Sequence, residues 1–119
     1  QIYAQADRIE LALSYWNRAI KKEPCAEYYL EKGKLLYNSR RFQQAIPAFR
    51  ECTRLDPNQG LANLLLGYSA WEMQNWQLAR EAFQAAKENT AYKDQAQSSL
   101  SVIENLMQEN KKPQSLESS

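Results

Sequence analysis

The chain repeats itself. Slid along its own length it agrees best at an offset of 34 residues, the step from Gly33 to Gly67. At that offset Phe42 falls on Trp76, Ala45 on Ala79, Ala48 on Ala82 and Phe49 on Phe83, so small, aromatic and aliphatic classes recur in one order. Tyr29 and Leu36 are answered by the less similar Asn63 and Ala70. A unit of this size cannot bury its apolar residues alone. It stacks on its neighbours, and the fold grows along one direction.

Each unit reads as two helices, because apolar residues recur at steps of three and four and the breaks fall at turn-forming clusters. In the first complete unit, helix A runs from about Ala26 to Asn38, Ser39-Arg40-Arg41 makes the turn, and helix B runs from Phe42 to Leu55, ended by Asp56-Pro57-Asn58. In the second, helix A spans about Gly60 to Gln74, Asn75 marks the turn, and helix B runs from Trp76 to about Glu88. Gly33 and Gly67 stand where helix A must approach helix B closely, with Ala45 and Ala79 on the facing side. Phe49 and Phe83, four positions further along helix B, supply the bulk that fills the space between hairpins.

This set of residues, Gly33, Ala45, Phe49 and Pro57 followed by Gly67, Ala79 and Phe83, resembles the tetratricopeptide repeat family. The resemblance covers residues 26 to about 90 as two full units, and Ile9, Ala12, Leu13, Trp16, Ala19 and Pro24 look like helix B of a preceding unit. It implies an all-α fold of antiparallel helical hairpins stacked as a right-handed superhelix. There are departures: Lys32 stands at a position usually aliphatic in the family, Asn63 at one usually aromatic, and Ala91 replaces the closing proline. Pro47 lies inside helix B, where it removes a backbone hydrogen bond, and its place is on the outward face.

At the N-terminal end, Ile2, Ala6, Ile9, Leu13, Trp16 and Ile20 share one stripe, as a continuous helix over about 2–22 requires. The repeat register instead puts a turn near Asp7-Arg8, since Asp7-Arg8-Ile9 aligns with Arg40-Arg41-Phe42. We favour the turn, with residues 1–6 as the remnant of a helix A. After the second unit, Ala96, Leu100, Ile103 and Met107 form a stripe with Gln95, Ser98, Ser99, Glu104 and Asn105 around it, a capping helix with a soluble exterior. The expected organisation is one domain over 1–110, comprising a partial repeat (1–24), two repeats (26–59 and 60–93) and a cap (94–110). A flexible tail over 111–119, or a linker into further sequence, follows. The chain opens with Gln1 rather than Met, which leaves room for a leader, an anchor or a domain upstream and keeps the compartment open.

The side-chain inventory is poor in catalytic chemistry. There is no histidine, so the usual proton shuttle and commonest metal ligand are missing. Cys25 and Cys52 have no CxxC spacing and read as packed residues. No phosphate loop, HExxH or GxSxG occurs. Glu27 and Glu31 lie four apart on one helix face, where a solvated or partner-facing pair is the better reading than an acid-base site. No enzyme, metal or cofactor is expected. The charge of +1 sets up no field for a polyanion, with ten basic and seven acidic side chains in residues 1–59 against five and seven in 60–119. Arg40, Arg41, Arg50 and Arg54 gather on one turn and helix B without interleaved stacking aromatics, which argues against nucleic acid. No stretch reaches the length of a membrane span.

What remains is the surface. The resemblance places the A helices on the concave side, so the groove is read from helix A positions outside the core: Glu27, Leu30, Glu31, Lys34, Tyr37 and Asn38, then Leu61, Leu64, Leu65, Tyr68, Trp71 and Glu72, with Gln95, Ser98, Ser99 and Val102 on the cap. An apolar, aromatic centre flanked by acids and one lysine suits an amphipathic helix or extended apolar peptide of a partner protein, anchored by Tyr68, Trp71 and Tyr37. Against this stands burial of the same leucines and Trp71 by the adjoining hairpin. Some family members hold acidic C-terminal tails of chaperones through basic and amide residues on helix A, but Glu27 and Glu31 would repel such a tail and Lys34 is the only cation there. The expectation is a non-catalytic protein-binding scaffold, one part of a larger protein or assembly. The alternatives are a structural spacer of a longer array and an accessory domain of a membrane or secretion assembly. So short an array also leaves room for self-association through an exposed end.

Overall fold

The computed structural model describes residues 2–111, with side chains described for residues 5–109. It contains six helices and, among the described residues, no strand: α1 (Ile2–Lys22), α2 (Ala26–Asn38), α3 (Phe42–Leu55), α4 (Gly60–Glu72), α5 (Trp76–Lys87) and α6 (Lys93–Lys111). Each helix packs on the next, and α2 also touches α4. The molecule is drawn out to 57 × 35 × 21 Å with a radius of gyration of 16.6 Å, against about 13 Å for a compact globule of this length.

The two hairpins, α2–α3 and α4–α5, are built alike. Both A helices close on a residue in the left-handed region, Arg40 at φ 60° and Gln74 at φ 59°. The amides that follow reach back five residues: Arg41 N–H donates to Leu36 O at 2.8 Å, and Asn75 N–H to Ala70 O at 2.8 Å. This is the Schellman arrangement, which satisfies carbonyls the helix leaves open. Asn75 then caps α5, its side chain accepting from Leu78 N–H. At the crossing, Gly33 and Gly67 lie against the rings of Phe49 and Phe83; a Cβ on either would sit 2.5 and 2.6 Å from a ring carbon. Ala45, Phe49, Ala79 and Phe83 are wholly buried.

Two apolar clusters run through the array. The first gathers Leu30, Leu36, Ala45, Phe49, Cys52, Ala62 and Leu66. The second gathers Leu64, Ala70, Ala79, Phe83, Ala96, Leu100 and Ile103, so α6 covers the last hairpin with the stripe expected of it. Asn63 is buried where the family usually has an aromatic ring, and its amide donates to Pro57 O at 3.3 Å and Gln59 O at 3.2 Å. The polar side chain thus ties the interrepeat turn to α4. Pro47 is exposed, as expected.

Residues 2–22 form one helix, which corrects the expected turn near Asp7-Arg8. The internal turns persist because both arms of a hairpin pack together. No described element lies against the start of α1 as a second arm, and the apolar stripe of Ile9, Leu13, Trp16 and Ile20 docks on α2 without a break. Arg41 fixes α1 by donating to Glu10 at 2.7 Å. The second A helix ends at Glu72 rather than Gln74, and α5 at Lys87 rather than Glu88. Of the expected tail, Lys111 closes α6, and residues 112–119 lie outside the described residues.

Candidate functional site

Helices α2, α4 and α6 share one side of the array, α2 against α4 and α6 joined to α4 by Ser99 Oγ donating to the Tyr68 hydroxyl at 3.3 Å. The residues expected to line this side divide in two. Glu27 is exposed; Glu31, Lys34, Tyr37, Leu61, Leu65, Tyr68 and Trp71 are half-buried. Leu30 and Leu64 are corrections to the expected lining. At 8% and 3% exposure they are core residues, one in each apolar cluster, and offer a partner almost no surface. Their position on the helix turns them between A helices rather than outward.

The aromatic residues are fixed from below. Tyr68 meets Phe83 edge-on at 5.0 Å between ring centroids, and Trp71 meets Phe83 at 6.2 Å and Trp76 at 6.3 Å, both near-perpendicular. Tyr37 packs in the same way on Phe42 at 5.5 Å and Phe49 at 6.5 Å. Edge-to-face contacts of this kind hold a ring in one orientation while leaving part of its face open. Burial, with Tyr68 and Glu72 nearby, holds the Tyr37 hydroxyl above the ordinary tyrosine value, and Arg40 acts in the opposite sense. Tyr37, Tyr68 and Glu72 therefore form one electrostatic neighbourhood spanning α2 and α4.

The charges on this side are three acids and one lysine. Lys34 pairs with Glu31 at 3.3 Å, within its own helix, which leaves Glu27 and the exposed Glu72 as the net charge of the face. Of the cap positions, Gln95, Ser98 and Val102 are exposed, whereas Ser99 is buried and bonded to Tyr68. Sequence reasoning missed that bond, and also the approach of the Trp16 and Tyr28 rings to 5.9 Å between α1 and α2. Trp16 is marked by its helix B position, but neither Tyr28 nor Ser99 recurs at the 34-residue step, so no periodic signal announces the pairing.

Reactive chemistry is scarce. Burial pushes the Cys52 thiol up to about 11, and a thiol that stays protonated is a poor nucleophile. Among the described residues no group of three His, Cys, Asp or Glu could hold a metal ion, and no helix is long and apolar enough to cross a membrane.

The tetratricopeptide repeat model matches residues 1–59 and again 30–96. No curated protein matches the chain by sequence. Among solved structures, the crystal structure of MamA superposes with a TM-score of 0.77 at 25% identity, over 89% of this chain and 63% of that one. The chain thus spans less than two thirds of that structure's length. Helical hairpins recurring with a Gly-to-Phe crossing, a family model covering most of the sequence and a shared solenoid architecture lead to one conclusion: the chain belongs to the tetratricopeptide repeat family, whose members serve as protein-interaction scaffolds.

Proposed function

We propose that the chain is a non-catalytic scaffold that takes a helix or extended peptide of a partner protein along the side formed by α2 and α4. The observation that carries this reading is the row of half-open apolar side chains there, Leu61, Leu65, Tyr68 and Trp71 beside Tyr37, with Glu27, Glu31, Lys34 and Glu72 around them. Rigid aromatic anchors bind with little loss of side-chain freedom, and the acids around them favour a ligand with apolar residues flanked by lysine or arginine. In this reading residues 1–24 are a partial repeat, 26–59 and 60–93 are repeats and 94–110 is a cap, together forming one part of a larger protein or assembly.

A second reading has its own support. Tyr68 and Trp71 already rest on Phe83 and Trp76, so the same residues serve a spacer whose inner face meets no ligand.

The test is a selection from a random peptide library displayed on phage, against the wild-type chain and against Leu65→Glu. Leu65 is half-buried and lies over no glycine crossing, so the charge enters the groove without opening the hairpin. Expected are peptides with an apolar centre and basic flanks that bind wild type, lose at least about tenfold in affinity (~1.4 kcal/mol) on Leu65→Glu and ignore Gln84→Glu on α5. Enrichment of nothing, or of peptides indifferent to Leu65→Glu, leaves the spacer reading standing.

A further inference from the structure

Between α3 and α5, with α4 as its floor, lies a groove of about 510 Å³. All three helices are flanked on both sides by other helices, so the groove belongs to the joint between the two full repeats. Its floor departs from the repeat: at the 34-residue step Asn63 answers Tyr29, and Leu66 answers Lys32. The equivalent groove one repeat earlier, between α1 and α3, measures about 330 Å³. Tyr29 does not border it, being packed against the first apolar cluster. Asn63 has a much shorter side chain, and at the second joint the space of a phenol ring stands open. The opening is not purely apolar. Asn63 is 5% exposed, and its amide hydrogens go to Pro57 O and Gln59 O. Its Oδ1 is left as an acceptor in the groove that no described donor reaches, a group whose desolvation only a donor offsets.

We infer that this groove takes a tyrosine side chain of a partner protein. The ring lies against Leu66, Leu78 and Ala82, its hydroxyl donates to Asn63 Oδ1, and Arg50 on the rim lies over its face. Three observations select this occupant. A phenol is the group that the preceding repeat places at the same step, and its single O–H matches the single open acceptor. The charges around the groove cancel, Arg50 and Arg54 against Glu51 and Glu81, which favours an uncharged ligand over an anion or a cation. Arg54 is also spent on Glu51 at 2.8 Å, and Glu81 accepts from Gln77 at 2.9 Å, whereas no described acid pairs with Arg50. One guanidinium is therefore free to meet a ring. An aliphatic side chain would leave the Asn63 acceptor without a donor, and a carboxylate would set its own oxygens against it. The site is separate from the α2–α4 face and stands or falls independently of it.

Amide correlation NMR on the 119-residue chain tests this. The probes are N-acetyl-tyrosinamide and N-acetyl-phenylalaninamide, which has the ring without the donor. The tyrosine compound is expected to shift amides of residues 50–54 and 81–85 and to bind at least about fivefold more tightly than the phenylalanine compound. Arg50→Ala, a change at an exposed position, should weaken it about two- to fivefold. Asn63→Tyr, which restores the ring from within, should abolish it. Circular dichroism checks that Asn63→Tyr keeps its helices; if it does not, Arg50→Ala and the two compounds carry the test. Equal binding of the two compounds, shifts confined to the α2–α4 side, or no shifts at all would overturn the inference. Free tyrosine binding more tightly than its blocked form would assign the groove to the amino acid and overturn the partner protein as its occupant.

Discussion

At the scale of single residues, the fold turns on two glycine-phenylalanine crossings. A Cβ at Gly33 or Gly67 would lie 2.5 or 2.6 Å from the Phe49 or Phe83 ring, and those rings are wholly buried with nowhere to retreat. Gly67→Ala is expected to lower unfolding free energy by about 1–3 kcal/mol, despite alanine's better helix propensity, as read from urea denaturation. Gly67→Ala combined with Phe83→Leu should recover part of it. These residues were legible in the sequence because their spacing repeats. Asn63 was legible only as a departure, since no pattern says which carbonyls a lone amide will find. Leu30 and Leu64 were misread because a helix A position between groove and core is decided by how closely neighbouring A helices approach, which periodicity does not encode. Cys52 adds a pH effect. Its thiol ionises near the ordinary value when unfolded and only at about 11 when folded, so the unfolded state releases its proton first as pH rises. Stability contributed by the protonated thiol is present below pH ~9 and lost between ~9 and ~11, by roughly 2–3 kcal/mol. Comparing wild type with Cys52→Ala across that range isolates the effect, because alanine already fills the same place at Ala86.

At the scale of the helix, the repeated turns carry a cost that a substitution can remove. Gln74 holds φ 59°, a conformation costing a side-chain-bearing residue about 1 kcal/mol that glycine avoids. Gln74→Gly is expected to raise the denaturation midpoint, and an unchanged or lower midpoint would show that the turn draws on the glutamine itself. Pro47 is the other anomaly. It sits inside α3 on the exposed face, where it removes the amide that would bond the Gln43 carbonyl. Pro47→Ala should stabilise the chain by about 1–3 kcal/mol, checked by the same denaturation series. Helix limits were readable to within two residues wherever two arms pack together. The start of α1 was not, because Asp7-Arg8 forms a turn only if something holds the preceding residues back against the helix.

At the scale of the molecule, contacts run only between neighbours along the array, so stability is expected to be graded rather than uniform. Helix α1 packs chiefly on α2 and α6 chiefly on α5, while α2 to α5 are flanked on both sides and α3 and α4 lie innermost. Hydrogen exchange followed by mass spectrometry should therefore show slowest exchange in α3 and α4, intermediate rates in α2 and α5, and fastest exchange in α1 and the last turns of α6. Uniform protection would mean that the array unfolds as a single unit. Sequence reading reached the all-α solenoid because periodicity is a one-dimensional signal and so is the fold.

The three tryptophans are distributed along this axis in a useful way. Trp71 and Trp76 sit near-perpendicular at 6.3 Å in the last hairpin, while Trp16 stands at the opposite end, beside Tyr15 at 5.1 Å and Tyr28 at 5.9 Å. The molecule therefore carries an optical label at each pole. One is a coupled pair whose circular dichroism reports the integrity of a hairpin, and the other is a half-shielded indole whose emission reports what approaches α1. Spectroscopy without any added dye can then tell an event at one pole from an event at the other.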